Sequence, residues 1–169
     1  MADARSSLLA MPTVRYTNDE IRSLVEEPKP VPGDGFSPVN WRTREGHDRA
    51  DLDVEGENGH LFAVKLRRNQ IDSKDFSVIL CVEVPNSNVT FRLRRYNGHH
   101  THRNKIENER FRDFHIHTAT ERYQERGFDE DGYAQPTDRF SSFGTALRCL
   151  IEDCGFEPEE GSQQNLFTS

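Results

Sequence analysis

No stretch of the sequence approaches the ~20 apolar residues that a membrane-spanning helix needs. The opening "MADARSSLLAMPTV" holds too short an apolar stretch for a secretory signal. These absences argue against a membrane protein and make the cytoplasm the expected compartment. Cysteine is scarce. Cys81, Cys149 and Cys154 are odd in number and form no Cys-x-x-Cys pair, so a disulfide framework is not expected and buried reduced thiols are. P-loop, dinucleotide-binding, Ser-His-Asp and zinc-finger patterns are all missing. Hydrophobic residues make up only 33% and mean hydropathy is -0.86, which leaves a small core. Lysine is rare too, 4 residues against 18 arginines, and arginine favours bidentate contacts to carboxylate or phosphate.

Net charge is -7, which excludes indiscriminate DNA binding, but it is unevenly spread. Residues 65–112 carry eleven Lys or Arg against five Asp or Glu, a local +6, so the remainder stands at -13. A basic middle in an acidic chain fits a selective anion site, and it fits equally a strand meander with solvated arginine edges.

A chain of 169 residues is expected to form one domain, here residues 16–156, between flexible tails at 1–15 and 157–169. "YTNDEIRSLVEEPKP" reads as a short helix. Thr17 and Glu20 have capping-box spacing, Ile21, Leu24 and Val25 form its apolar stripe, and the prolines from Pro28 on stop it. Residues 33–60 are polar, with "EGENG" as a turn and Trp41 as an anchor to the core. "HLFAVKLRRN" and the near-continuous "DFSVILCVEVP" read as strands, the second central. In "VTFRLRRY" Val89, Phe91 and Leu93 alternate with Arg92, Arg94 and Tyr96, and Asn97-Gly98 signals a turn. In "DFHIHTATERY" Phe114 and Ile116 face the core, which puts His115, His117, Glu121 and Tyr123 on the other face, beside Arg92 and Arg94 if the strands pair. "SSFGTALRCLIEDCG" is a closing amphipathic helix, capped by Ser141 or Ser142 and ended by Gly155. The expected fold is α+β: an antiparallel meander with a short N-terminal helix and a C-terminal helix packed on one face.

Three segments carry a resemblance. They are "YTNDEIRSLVEEPK", "HRNKIENERFRDFHIHTATERYQERGFDEDGYAQP" and the closing helix ending in "IEDCGF". Together they resemble an uncharacterised domain family of small bacterial and archaeal proteins with a His-Arg-Asn segment followed by a His-x-His strand. Lys105 stands where that pattern has proline. The layout is loosely similar to TumE-like toxins of toxin–antitoxin pairs, which implies an RNA target and a cognate antitoxin as expected partners.

Five of the seven histidines fall between residues 97 and 123. Three readings compete. In the first, a metal-independent ribonuclease, His115 and His117 exchange protons at an RNA phosphodiester, with Arg92, Arg94 and Tyr123 completing the catalytic set and Arg103, His102 and Tyr96 binding substrate. It needs no cofactor. In the second, His-x-His binds a divalent metal ion, because alternate strand residues lie about 6.5–7 Å apart at Cα; Glu121 would be the third ligand, with His99 or His102 as substitutes. In the third, the histidines are polar residues on a solvated sheet, and the basic face is a non-enzymatic module for nucleic acid or an acidic partner protein.

Overall fold

The first helix, α1 (Asn18–Glu26), is held at its start by a two-way cap: Glu20 N–H donates to Thr17 Oγ1 at 3.1 Å and Thr17 N–H to Glu20 Oε2 at 2.7 Å. The structure, a computed structural model, describes residues 14–31, 36 and 39–158. The tails expected at 1–15 and 157–169 lie outside the described residues except for residues 14–15 and 157–158. Among the described residues no helix is long and apolar enough to cross a membrane.

The fold is α+β. After α1 come β1 (Lys29–Val31), β2 (Arg42–Arg44), β3 (His47–Glu55), β4 (Leu61–Asn69), β5 (Phe76–Glu83), β6 (Thr90–Asn104) and β7 (Glu109–Thr118). The short α2 (Glu121–Glu125), β8 (Tyr133–Pro136), α3 (Phe143–Asp153) and β9 (Phe156–Pro158) complete it. Strands β2 to β8 form one antiparallel meander in chain order, and β1 and β9 pair in parallel beside it. The near-continuous apolar run of β5 is the middle strand of seven, as its buried pattern requires.

One face of the meander is apolar. Leu52, Val64, Leu80 and Arg94 occupy successive positions across β3 to β6, and the ends of that row meet α3 and the aromatic cluster around Phe76. Helix α3 buries Ala146, Cys149, Leu150 and Ile151 there, is capped by Ser142, and gives way to Gly155 at a φ of 73°. Trp41 anchors as expected, edge-on to Phe143 and under the Arg68 guanidinium.

The polar stretch 33–60, in which only a turn was expected, contains β2 and β3. Strand β3 puts Arg49, Asp51 and Asp53 on one side and Ala50, Leu52 and Val54 on the other, so charge masked a real alternation. Asn97-Gly98 is not a turn. The hairpin lies further on, at residues 105–108, where Asn108 takes a φ of 58°, and β6 runs unbroken past the glycine. A Cβ at Gly98 would stand 1.9 Å from the Lys74 carbonyl oxygen, which accepts the His99 N–H at 2.9 Å. Glycine is needed there for close approach of the 72–75 loop, not for bending.

Lys29 ties the chain's ends together. Its fully buried ammonium donates to the carbonyls of Leu24, Val25 and Glu27 at the end of α1 and to that of Cys154 at the end of α3, at 2.7–3.0 Å. A cation at two helix C-termini satisfies carbonyls that have no intrahelical donor. Lys29→Met keeps the volume and removes every donor, so it should lower the unfolding free energy by about 3 kcal/mol, read from chemical denaturation. An unchanged midpoint would reject this role.

Candidate metal centre

Strand β6 carries two bulges. Opposite Leu80 and Cys81 it places Arg94 and Arg92, with Leu93 as the extra residue; opposite His115 and Asp113 it places Asn97 and His100, with one residue too many between them. Each bulge shifts the side-chain parity by one. The face away from α3 therefore receives Arg92, then Arg95 and Asn97, then His100, His102 and Asn104. Strand β7 adds His115 opposite Asn97 and His117 opposite Arg95.

On that face His102, His115 and His117 each offer a ring nitrogen, and the three atoms lie within 4.8 Å of one another. The His102–His117 ring centroids are 4.6 Å apart and the His115–His117 centroids 4.9 Å. The second nitrogen of each ring is already committed. His115 Nδ1 donates to the Asp113 carbonyl at 2.7 Å and His117 Nδ1 to the Asp131 carbonyl at 2.8 Å, which leaves both Nε2 atoms unprotonated and able to accept. His102 is turned the other way. Its Nε2 donates to the Gly132 carbonyl and to Asn104 Oδ1, both at 3.0 Å, which frees Nδ1. All three tautomers are thus set by acceptors that cannot donate.

The surroundings are rigid. Asn104 mimics a strand, donating to the Ala134 carbonyl at 2.8 Å and accepting the Ala134 N–H at 2.9 Å. Residues 129–132, the acidic loop of "FDEDGY", supply two of the carbonyls that orient the imidazoles. The Asp131 carboxylate is fully buried, 3.0 Å from Arg95 Nε and 3.3 Å from Arg92 Nε. Burial pushes its carboxyl up while Arg95 and Arg92 pull against that. Asn97, held by a 2.8 Å hydrogen bond from Ser77 Oγ, points its amide nitrogen at His117 Nε2, 3.1 Å away, with His100 and His115 Nε2 at 3.4 and 3.5 Å. His115 and His117 are 0% and 2% exposed. Burial lowers His115 to about 4, with the neighbouring His100, His102 and Arg95 adding to the fall, and burial lowers His117 further still. Both imidazoles are neutral near pH 7.

The expected residues divide. His102, expected to bind substrate, is part of the cluster. Arg103 lines the same cavity of about 210 Å³, as does Tyr123, whose hydroxyl donates to Glu107. Arg92 shares the face but is engaged by Glu130 and Asp131. Arg94 does not join them: the first bulge turns it to the α3 side, within 4.0 Å of Asp153. Tyr96 follows it into the core and donates to Asp153 at 2.7 Å, so it is no substrate contact. Glu121 is not a third ligand. Thr120 caps α2 and ends the strand alternation, and the Glu121 carboxylate accepts the Asn18 N–H instead. His99 packs edge-on against Phe114. Residues missed in the sequence are Arg95, Asn97, His100 and Asp131; only the bulges reveal the first three.

The polar face extends beyond the cluster. One cross-strand row from β2 to β7 reads Arg42, Arg49, Arg67, Ser77, Asn97, His115; the next reads Asp51, Lys65, Ile79, Arg95, His117. All of them but His115 and His117 line a hollow of about 420 Å³ that shares Arg95, Asn97 and His100 with the histidine cavity. Asp75 braces its rim, accepting from Arg67 at 2.8 Å and Asn69 at 3.1 Å, with His47 at 3.2 Å. No family model, curated protein or solved structure matches this chain.

Partial burial alone would raise the Asp75 carboxyl, but hydrogen bonds from Arg67, Asn69 and His47 outweigh it and lower it to about 2. A depressed carboxyl stabilises the fold above its unfolded pKa and loses that contribution as pH falls from about 4 through about 2. Asp75→Asn should therefore cost about 1–2 kcal/mol at pH 7 and flatten the acid limb of the stability curve in that window. Parallel acid limbs in the two proteins would refute it. Gly98→Ala should cost about 1–3 kcal/mol, since the Lys74 backbone must move; denaturation of the purified variant reads this directly.

Proposed function

We propose that His102, His115 and His117 hold one divalent transition-metal ion, and that the protein is a metal-dependent hydrolase of phosphate esters. A single observation carries the reading: three imidazoles bring ring nitrogens within 4.8 Å of one another, and each ring also donates to a backbone carbonyl. That is the arrangement by which proteins orient metal-binding histidines. Three neutral imidazoles suit zinc, copper, iron or nickel and leave a coordination position for water. A metal bearing three neutral ligands keeps its full charge and acidifies that water toward pH 7.

In the reaction, the water oxygen bonds to phosphorus, the ester P–O bond breaks, and the leaving oxygen takes up a proton. Arg95, Arg103 and Lys105 line the cavity and supply charge for the phosphoryl oxygens. His100 also lines it and is half-exposed, so it is the residue placed to pass the proton. The metal-free ribonuclease reading requires one charged and one neutral imidazole, which two buried neutral rings do not supply. An RNA-directed, toxin-like role remains compatible with the metal-dependent chemistry, and RNA is a phosphodiester to be tried as substrate.

Elemental analysis of purified protein should find about one transition-metal ion per chain, and His102→Gln, His115→Gln and His117→Gln should each remove it. Adding the ion to chelated protein at 100 times its Kd should stabilise the fold by about 2.7 kcal/mol. Phosphodiesterase activity should vanish in chelator and return with metal. A chelated protein that takes up no ion and gains no stability would end this proposal.

A further inference from the structure

Arg42, Arg49 and Arg67 sit directly opposite one another on three adjacent strands. Like charges in directly opposed positions destabilise a sheet. Two such pairs in succession form a row whose repulsion an anion would relieve. Carboxylates compensate only its ends: Arg42 pairs with Asp51 at 3.1 Å and Arg67 with Asp75 at 2.8 Å. Arg49, exposed between them, has no ion pair among the described residues, and neither has Lys65 in the next row.

The row has a direction. Past Arg67 it continues through Ser77 and Asn97 to His115, so its far end is the candidate metal centre. Five interstrand steps of about 4.8 Å make it about 24 Å long. That is too long for a single phosphate and fits a chain of several. The floor along the arginines is Ser77 and Ile79, with no aromatic ring; Tyr123 and Phe128 line only the cavity at the histidine end. Charge without stacking surfaces grips a backbone and ignores bases, while the half-exposed Phe128 ring beside the centre can meet one base.

We infer that this trough binds a single-stranded nucleic acid, with successive phosphates along Arg42, Arg49 and Arg67 and one phosphodiester at the histidine centre. The inference rests on the proposed metal chemistry only for where the strand is cut; binding along the row stands independently.

The test is fluorescence anisotropy in chelator, using short mixed-sequence single-stranded RNA and DNA, with tripolyphosphate as competitor. Both probes should bind wild type in a salt-sensitive manner. The double variant R42Q/R49Q, altered at two exposed side chains, should bind at least about tenfold more weakly, with a salt slope lower by about two. Its thermal midpoint, compared with wild type, establishes that the fold is intact. R22Q, at an exposed arginine on α1 outside the trough, should bind within twofold of wild type. Strand binding in chelator with no cleavage after any of the transition metals is restored leaves the trough standing and removes the hydrolase. Strand binding unchanged in R42Q/R49Q overturns the inference. So does capture of tripolyphosphate by a protein that binds neither strand, which would make the row a small-anion site.

Discussion

A fifteen-residue strand of regular pleat would divide its side chains evenly between two faces, and β6 does not. Its two bulges re-aim the strand so that Arg95, Asn97, His100 and His102 all reach the face opposite α3, while Arg94 and Tyr96 are sent into the packing below it. The histidine cluster and its arginines depend on that re-phasing. Without the Leu93 bulge, Arg95 would face the core and Asp131 would lose a guanidinium. Without the one at Gly98, His102 would point away from His115 and His117. A bulge leaves its extra residue outside the ladder, and here that cost is offset locally: the Leu93 carbonyl accepts from Ala119, and the His99 N–H finds the Lys74 carbonyl.

The loop before β8 does for the imidazoles what the bulges do for the strand. Asp131 acts through two different groups. Its backbone carbonyl fixes the His117 tautomer, and its side chain anchors two arginines. Gly132 fixes His102 and must lack a side chain, because a Cβ would lie 2.7 Å from the Tyr123 ring. Loop, ring orientation and arginine placement are therefore one coupled unit, and disturbing any part of it should register in the others.

Much of the architecture was legible in the sequence, because its signals are local. The Thr17–Glu20 pair, the stripe of α3 and the apolar run of β5 each declare an element within a dozen residues. The His-x-His strand likewise put His115 and His117 on a shared face. What could not be read is anything that depends on register. A bulge has no composition of its own, so simple alternation assigned Arg94 and Tyr96 to the wrong side and passed over Arg95. Asn97-Gly98 carries the chemistry of a turn, yet the requirement there is contact with another segment. Thr120 ended the alternation two residues after β7, which removed Glu121 from the histidines. Strand β3 was hidden because a trough-facing side is charged, and so resembles a loop. In both the strand and the site, the functional face is what blurred the structural signal.

Lys29 has a further significance beyond holding two helix ends. It is the only one of the four lysines whose amine is wholly enclosed; Lys74 and Lys105 are open to solvent and Lys65 is half-exposed. An amine-reactive label can therefore reach three of the four lysines on the folded chain, and Lys29 only after the end of α1 has parted from the end of α3. The molecule thus carries its own chemical clock for the separation of its first and last segments, readable without touching the histidines or the trough.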